Sequence, residues 1–280
     1  MEYGVTIFFT DYSISPVELA TAVEERGFES LWVAEHSHIP VSRATPFPGG
    51  GDLPKMYYDV MDPFVTLSAV AAVTKSLKVG TGICLVAQRD PIQTAKSVAS
   101  LDQVSGGRFL FGVGGGWNVE EAANHGTEDF KARWKLMRER IEAMKAIWTT
   151  SEAAYHGDVV RFDPVYAWPK PVQQPHPPVV VGGAFPHAAR RAVRYGDGWV
   201  PINPGRKALV SQIPEFHRMC REAGREPLPV SLFGAPAKAE SLAGCREAGV
   251  ARAVFALPPA SRDDVLPLLD RYVKLRDEVG

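Results

Sequence analysis

Residues 78–117 read KVGTGICLVAQRDPIQTAKSVASLDQVSGGRFLFGVGGGW and hold two strand-length apolar runs that stop in glycine, at Gly80-Thr81-Gly82 and Gly112-Val113-Gly114-Gly115-Gly116. Between them Asp90-Pro91 opens a helix. A side-chain acceptor followed by proline suits the first turn, where backbone N–H groups have no partner, and Gly106-Gly107 ends the segment. Strand, helix, strand at this spacing is the unit of a parallel sheet. Two parallel strands that both end in glycine aim bare backbone at one place, where a flat or anionic ligand can approach.

The alternation continues in both directions. Strands are expected at 3–9, 30–34, 77–85, 108–113, 178–181, 198–202, 229–233 and 251–257. Ser15-Pro16-Val17-Glu18 supplies a hydroxyl cap, a first-turn proline and a carboxylate three residues on, opening a helix that stops at Gly27. Further helices are expected near 62–75, 90–106, 186–195, 207–223, 236–248 and 261–277. Across 130–149, Phe130, Trp134, Met137, Ile141, Met144 and Trp148 recur every three or four residues, the mark of a long helix with one buried face. Eight strands alternating with eight helical segments in 280 residues fit a (β/α)8 barrel better than an open doubly wound sheet. With no repeat, linker or low-complexity stretch, we expect one domain, 1–280.

Composition narrows the function. Lys and Arg number 31 against 32 Asp and Glu, so no overall field favours nucleic acid or an anionic membrane, and any bound anion must be held locally. Cys84, Cys220 and Cys245 are widely spaced, odd in number and lack a CxxC pair; we expect reduced thiols in a cytoplasmic protein. The stretch MEYGVTIFFTDYS has no basic n-region followed by an apolar run of signal length, and nowhere do about 18 consecutive apolar residues occur, so a soluble, unprocessed protein is the expectation.

Two connections are long. Residues 36–61 follow the second strand on the face where barrels place their active sites, and are expected to act as a lid bearing His36, His38, Tyr57 and Tyr58. Residues 150–177 precede the fifth strand and read as a hairpin whose proline-rich end joins the opposite face, a structural decoration or dimer contact. In a barrel the strand ends form one ring: Phe9 and Thr10, Glu35 and His36, Gly82 and Ile83, Gly114 to Trp117, Gly182 and Gly183, then Pro201 and Asn203. A lining this apolar and glycine-rich suits a planar heterocycle. The glycine clusters at 114–116 and 182–183, each at a helix start, offer N–H groups to a phosphate.

The segment 80–117, the strand end WVAEH at 32–36 and PPVVVGGAFPHAARRAVRYGDGWVP at 177–201 together resemble the luciferase-like flavin and deazaflavin oxidoreductases, in particular their short members that use coenzyme F420. The similarity runs from Gly4 to about Pro204. The resemblance implies a non-prolyl cis peptide between Gly82 and Ile83 that bulges against the cofactor ring, an active-site histidine at His36, and phosphate contacts from Gly114, Gly115, Gly116, Trp117, Gly182, Gly183 and Ala184. Two departures are visible. Sugar-phosphate dehydrogenases of this superfamily carry a carboxylate where Trp117 stands, and bacterial luciferase carries an arginine where Gly115 stands.

The resemblance implies an F420-dependent oxidoreductase that moves a hydride between deazaflavin and a small organic substrate, in a homodimer. The alternatives are an FMN-dependent monooxygenase and a cofactor-binding protein without turnover. The residues leave roles open as well. His36 is a proton donor or acceptor, or a hydrogen-bonded wall. Glu35 should face away from His36 as an anchor, although the two are the obvious titrating pair at the mouth. Trp117 stacks on a ligand or packs a helix start. Leu101-Asp102 and Ser105-Gly106-Gly107-Arg108 fall at the stability face, and Arg190 and Arg191 meet an anionic tail or lie on an exposed helix face.

Overall fold

A computed structural model describes residues 1–202 and 205–280 of the chain. The strands in chain order are β1 (Glu2–Ile7), β2 (Ser30–Val33), β3 (Lys78–Thr81), β4 (Cys84–Leu85), β5 (Phe109–Gly114), β6 (Glu152–His156), β7 (Arg161–Tyr166), β8 (Val179–Gly182), β9 (Gly198–Val200), β10 (Ser231–Phe233) and β11 (Arg252–Ala256). The helices are α1 (Pro16–Glu25), α2 (Met56–Asp59), α3 (Pro63–Val73), α4 (Pro91–Ser105), α5 (Val119–Asn124), α6 (Arg133–Thr149), α7 (His187–Tyr195), α8 (Gly205–Glu222), α9 (Ala239–Glu247) and α10 (Arg262–Val279). The main sheet runs β10-β11-β1-β2-β3-β5-β8-β9, every pairing in it parallel. A parallel bridge between Trp199 and Val230 joins its ends, and the result is a (β/α)8 barrel.

Local chemistry sets the element boundaries. Ser15 Oγ accepts from Glu18 N–H at 3.3 Å, the cap expected from SPVE, and donates to the Glu18 carboxylate at 2.7 Å, so the carboxylate takes the Ser15 hydroxyl. Asp90 accepts from Gln93 N–H at 2.8 Å, and Gly106 closes α4 at φ 66°, a left-handed turn that glycine takes without steric cost. The third barrel strand is not the continuous run 77–85 that apolar content suggests. It breaks after Thr81 and resumes as β4, which pairs with β5, and the peptide between Gly82 and Ile83 is cis.

The core has two parts because neighbouring side chains on a strand point to opposite faces. Leu31 and Val33 belong to the large cluster packed against the helices, whereas Trp32 belongs with Leu110, Val180, Val200 and Val254 to a smaller cluster inside the cylinder. The indole of Trp32 fills that interior because the inward position beside it is Gly80, where an added Cβ would lie 2.4 Å from Trp32 Cε3. At Gly112 a Cβ would lie 1.9 Å from the carbonyl oxygen of Thr81. The first glycines of both motifs therefore serve barrel packing, contrary to a reading in which the whole of each motif faces a ligand.

The insertion at 150–177 forms the expected antiparallel hairpin, β6 with β7. Its proline-rich return is bolted to the N-terminal end of the barrel. Buried Asp102 accepts from Gln173 N–H at 2.9 Å and from Gln173 Nε2 at 2.7 Å. Arg108 reaches the carbonyls of Ala71 and Thr74 at the end of α3, at 2.9 and 3.0 Å. The conspicuous LDQVSGGR stretch is thus mortar between helices and sheet. No helix among the described residues is long and apolar enough to cross a membrane.

Candidate active site

A cavity of about 380 Å³ opens at the C-terminal ends of the strands, within the size of small-molecule sites, roughly 300–1,000 Å³. Nine of the ten residues singled out from the sequence line it: His36, Gly82, Ile83, Gly114, Gly115, Gly116, Trp117, Gly182 and Gly183. Ala184 does not; it is exposed in the turn before α7. From β1 the wall residue is Phe8, and Phe9 turns into the core, since the strand ends at Ile7 and the chain bends earlier than expected. Pro201 lines the cavity, and Asn203 lies outside the described residues.

Ile83 sits at the centre. A Cβ on Gly114 would lie 2.4 Å from its Cδ1 and one on Gly182 3.1 Å from its Cγ2, so the bulge after β3 stands between the two glycine loops. Three contacts hold it there. Gly82 N–H donates to Val33 O at 2.6 Å, Leu85 N–H donates to Glu35 Oε2 at 2.6 Å, and the Phe233 ring packs against Gly82. Glu35 also pairs with Arg89, which in turn reaches Asp62 at 3.0 Å. Glu35 has the anchoring contacts expected of it, but it does not face away from the site, since it lines the same cavity as His36.

The carboxylate that pairs with His36 at the mouth is not Glu35. His36 Nδ1 lies 2.9 Å from Oε2 of Glu121, a carboxylate whose side chain has no exposed surface. Where the carboxylate is ionised it only accepts, so Nδ1 carries a proton in this contact, and with a neutral ring Nε2 is then the acceptor. Nε2 has no partner among the described residues, and neither does the buried Oε1 of Glu121. Glu121 comes from α5, six residues long and too short to announce itself by periodicity. A signal was present nonetheless: Asn118 caps α5 by accepting from Glu121 N–H at 3.0 Å, an Asn-x-x-Glu pattern.

Around His36 the long connection supplies aromatic walls. Tyr57 lies 5.3 Å from the His36 ring and Trp117 5.9 Å, and Phe47 contacts both at 5.2 and 5.9 Å. Burial raises the Tyr57 hydroxyl pKa, so it stays a neutral donor near pH 7. Tyr58 points out to solvent, and His38 bonds to Ser37 and Asn124 in an exposed polar cluster. Thr45 binds Glu120 through both its N–H, at 2.9 Å, and its hydroxyl, which ties the loop to α5.

A barrel with a hydrogen-bonded imidazole–carboxylate pair, a central backbone bulge and two glycine loops at one mouth defines a class, and sequence comparison agrees. The family model for luciferase-like monooxygenases matches residues 15–262, and the chain belongs to that family. An uncharacterised protein of Mycobacterium tuberculosis is 40% identical over 281 residues, 97% of each chain. The F420-dependent glucose-6-phosphate dehydrogenase of Amycolatopsis mediterranei is 31% identical over 187 residues, 66% of this chain and 52% of that one. The FMNH(2)-dependent dimethylsulfone monooxygenase of Pseudomonas putida is 34% identical over 155 residues, 54% of this chain and 42% of that one. The chain spans about half the length of these last two relatives or less. A solved F420-dependent secondary alcohol dehydrogenase shares the fold, with a TM-score of 0.78 over 100% of both chains at 19% identity.

Proposed function

We propose that the protein is an F420-dependent oxidoreductase that moves a hydride between the deazaflavin ring and a small organic substrate. The observation that carries this reading is the His36–Glu121 pair at the edge of an otherwise apolar, glycine-lined cavity. Oxidising an alcohol, or reducing a carbonyl, needs one group that takes or returns the oxygen-bound proton, and the free Nε2 of His36 is suited to it. Glu121 orients the imidazole and offsets its charge when it is protonated. The residues present fit a tricyclic cofactor. Ile83 and Leu85 offer an apolar floor, and the loops at 114–116 and 182–183 lack the side chains that would keep a phosphate from the backbone. When bound, the deazaflavin supplies the two-electron hydride chemistry. Phe8, Tyr57 and Trp117 would exclude water and hold the substrate's carbon near it.

Fluorescence-quenching titration of the purified chain tests the cofactor, with F420 expected to bind; tight FMN binding with no response to F420 would overturn the assignment. His36→Ala should keep cofactor affinity and lower kcat by roughly 100- to 10,000-fold, the range for losing a general acid–base. Glu121→Gln should fall between that variant and wild type. Unchanged turnover in His36→Ala would reject the proton role. The 34% identity to an FMNH(2)-dependent monooxygenase favours a second reading, reduced FMN activating oxygen, and stopped-flow reoxidation by O₂ separates the two.

A further inference from the structure

We infer that Arg133 and Arg191 form a seat for the anionic tail of the bound cofactor, beyond the glycine loops; this rests on the reading that the cavity holds a deazaflavin or flavin. Trp134, in the first turn of α6, lines the cavity and packs on the loop after β5, where a Cβ on Gly115 would lie 2.6 Å from its Cζ3. Two guanidinium groups stack on this indole. The Cζ of Arg191 lies 3.8 Å from a Trp134 ring centroid and that of Arg133 4.3 Å, and Arg133 also lies 3.8 Å over Phe130. The Arg191 guanidinium abuts the other glycine loop, since a Cβ on Gly183 would lie 3.6 Å from its Nη2.

Neither cation has a counter-charge among the described residues. Among the described residues no carboxylate pairs with Arg133 or Arg191, and the Nε of each is buried without a partner. Two arginines nearby do have carboxylates within ion-pair distance: Arg138 meets Glu139 and Glu142, and Arg225 meets Asp197. Burial lowers the pKa of both guanidinium groups, and the charge of Arg191 lowers that of Arg133 further, whereas Tyr195 acts in the opposite direction on Arg191. Two like charges, partly desolvated and held on one indole, are unfavourable in the empty protein. A phosphate or carboxylate group reverses this, because planar guanidinium forks take such oxygens in pairs. FMN ends in one phosphomonoester. F420 continues through a phosphodiester to carboxylates, and two adjacent cations suit a tail with more than one anionic group.

The test is the affinity added by the tail. Dissociation constants are measured by fluorescence quenching for F420 and its tailless deazaflavin core, and for FMN and riboflavin, with wild type, Arg133→Gln, Arg191→Gln and Arg191→Lys. Each Gln variant should weaken the tailed ligand roughly tenfold, the scale of a charge-assisted hydrogen bond, with the tailless ligand changed by less than about twofold and Arg191→Lys intermediate. Raising ionic strength should weaken only the tailed ligand of the wild-type protein, a reading that needs no variant. Equal loss for tailed and tailless ligands would mean that the arginines merely pack Trp134, and no loss would mean that the tail lies elsewhere; either result overturns the inference. If only the flavin pair binds, the F420 assignment fails while the arginine seat is still judged on FMN against riboflavin.

Discussion

At Gly80 a single methyl group decides whether the barrel interior closes. An added Cβ would stand 2.4 Å from Trp32 Cε3 and 2.6 Å from Cζ3, and a rigid indole buried at 0% exposure has nowhere to retreat. Gly80→Ala should therefore cost about 1–3 kcal/mol, the usual range for overpacking, seen as a lower urea midpoint at unchanged slope. A midpoint equal to wild type would remove the packing account. The same residue shows why the glycine motifs were only half legible. Gly80 lies in β3 and Gly82 just past its end, yet one makes room for Trp32 and the other faces the cavity. Sequence shows that side chains are missing, and register alone shows what occupies the space. His36 was legible as a residue of the mouth, and it lines the cavity, but its partner lies 85 positions away on α5. No spacing rule joins them until the barrel brings the ends of β2 and β5 together.

Among elements, α4 was read nearly to its ends because Asp90, Pro91 and Gly106 are local signals that act whatever the tertiary context. The break between β3 and β4 was not readable from periodicity, since VGTGICLV carries no charge and only one polar side chain, Thr81, and a strand buried on both faces leaves no alternation to interrupt. It was expected only through family resemblance. Residues 150–177 were rightly read as a hairpin, and the structure adds how it is fastened. Asp102, wholly buried in α4, holds Gln173 by two bonds. Asp102→Ala would leave those donors without their acceptor and should lower stability by about 2–3 kcal/mol in thermal unfolding. Cofactor affinity should not change in the folded fraction, because Asp102 lies at the end of the barrel away from the cavity. Weaker cofactor binding at unchanged stability would place this residue in the site instead.

For the molecule as a whole, an ionic clasp at the N-terminal end of the barrel reaches past β1 to join the last strand to the second and third. Glu29, just before β2, accepts from Arg252 of β11 at 2.7 and 2.5 Å and from Lys78 of β3 at 2.9 Å. Burial alone would raise the Glu29 pKa, but the bonds and charge of Arg252, with help from Ser30 and Lys78, bring it from 4.5 to about 2. A carboxylate depressed in the folded state stabilises it fully above its unfolded value and loses that contribution as pH falls through the folded one. The gap corresponds to about 3 kcal/mol, lost between roughly pH 5 and pH 2. Glu29→Gln should thus be less stable at pH 7 and flatter across that acid range; parallel acid limbs for variant and wild type would show that the clasp contributes nothing. At the other end, the bond from Thr45 to Glu120 has an evolutionary corollary. The mouth's rim is moored beside the very residue that aims the imidazole, so 36–61 is no independent cassette. Grafting that segment from a cousin with another diet would misalign His36 unless positions 118–121 were transplanted with it.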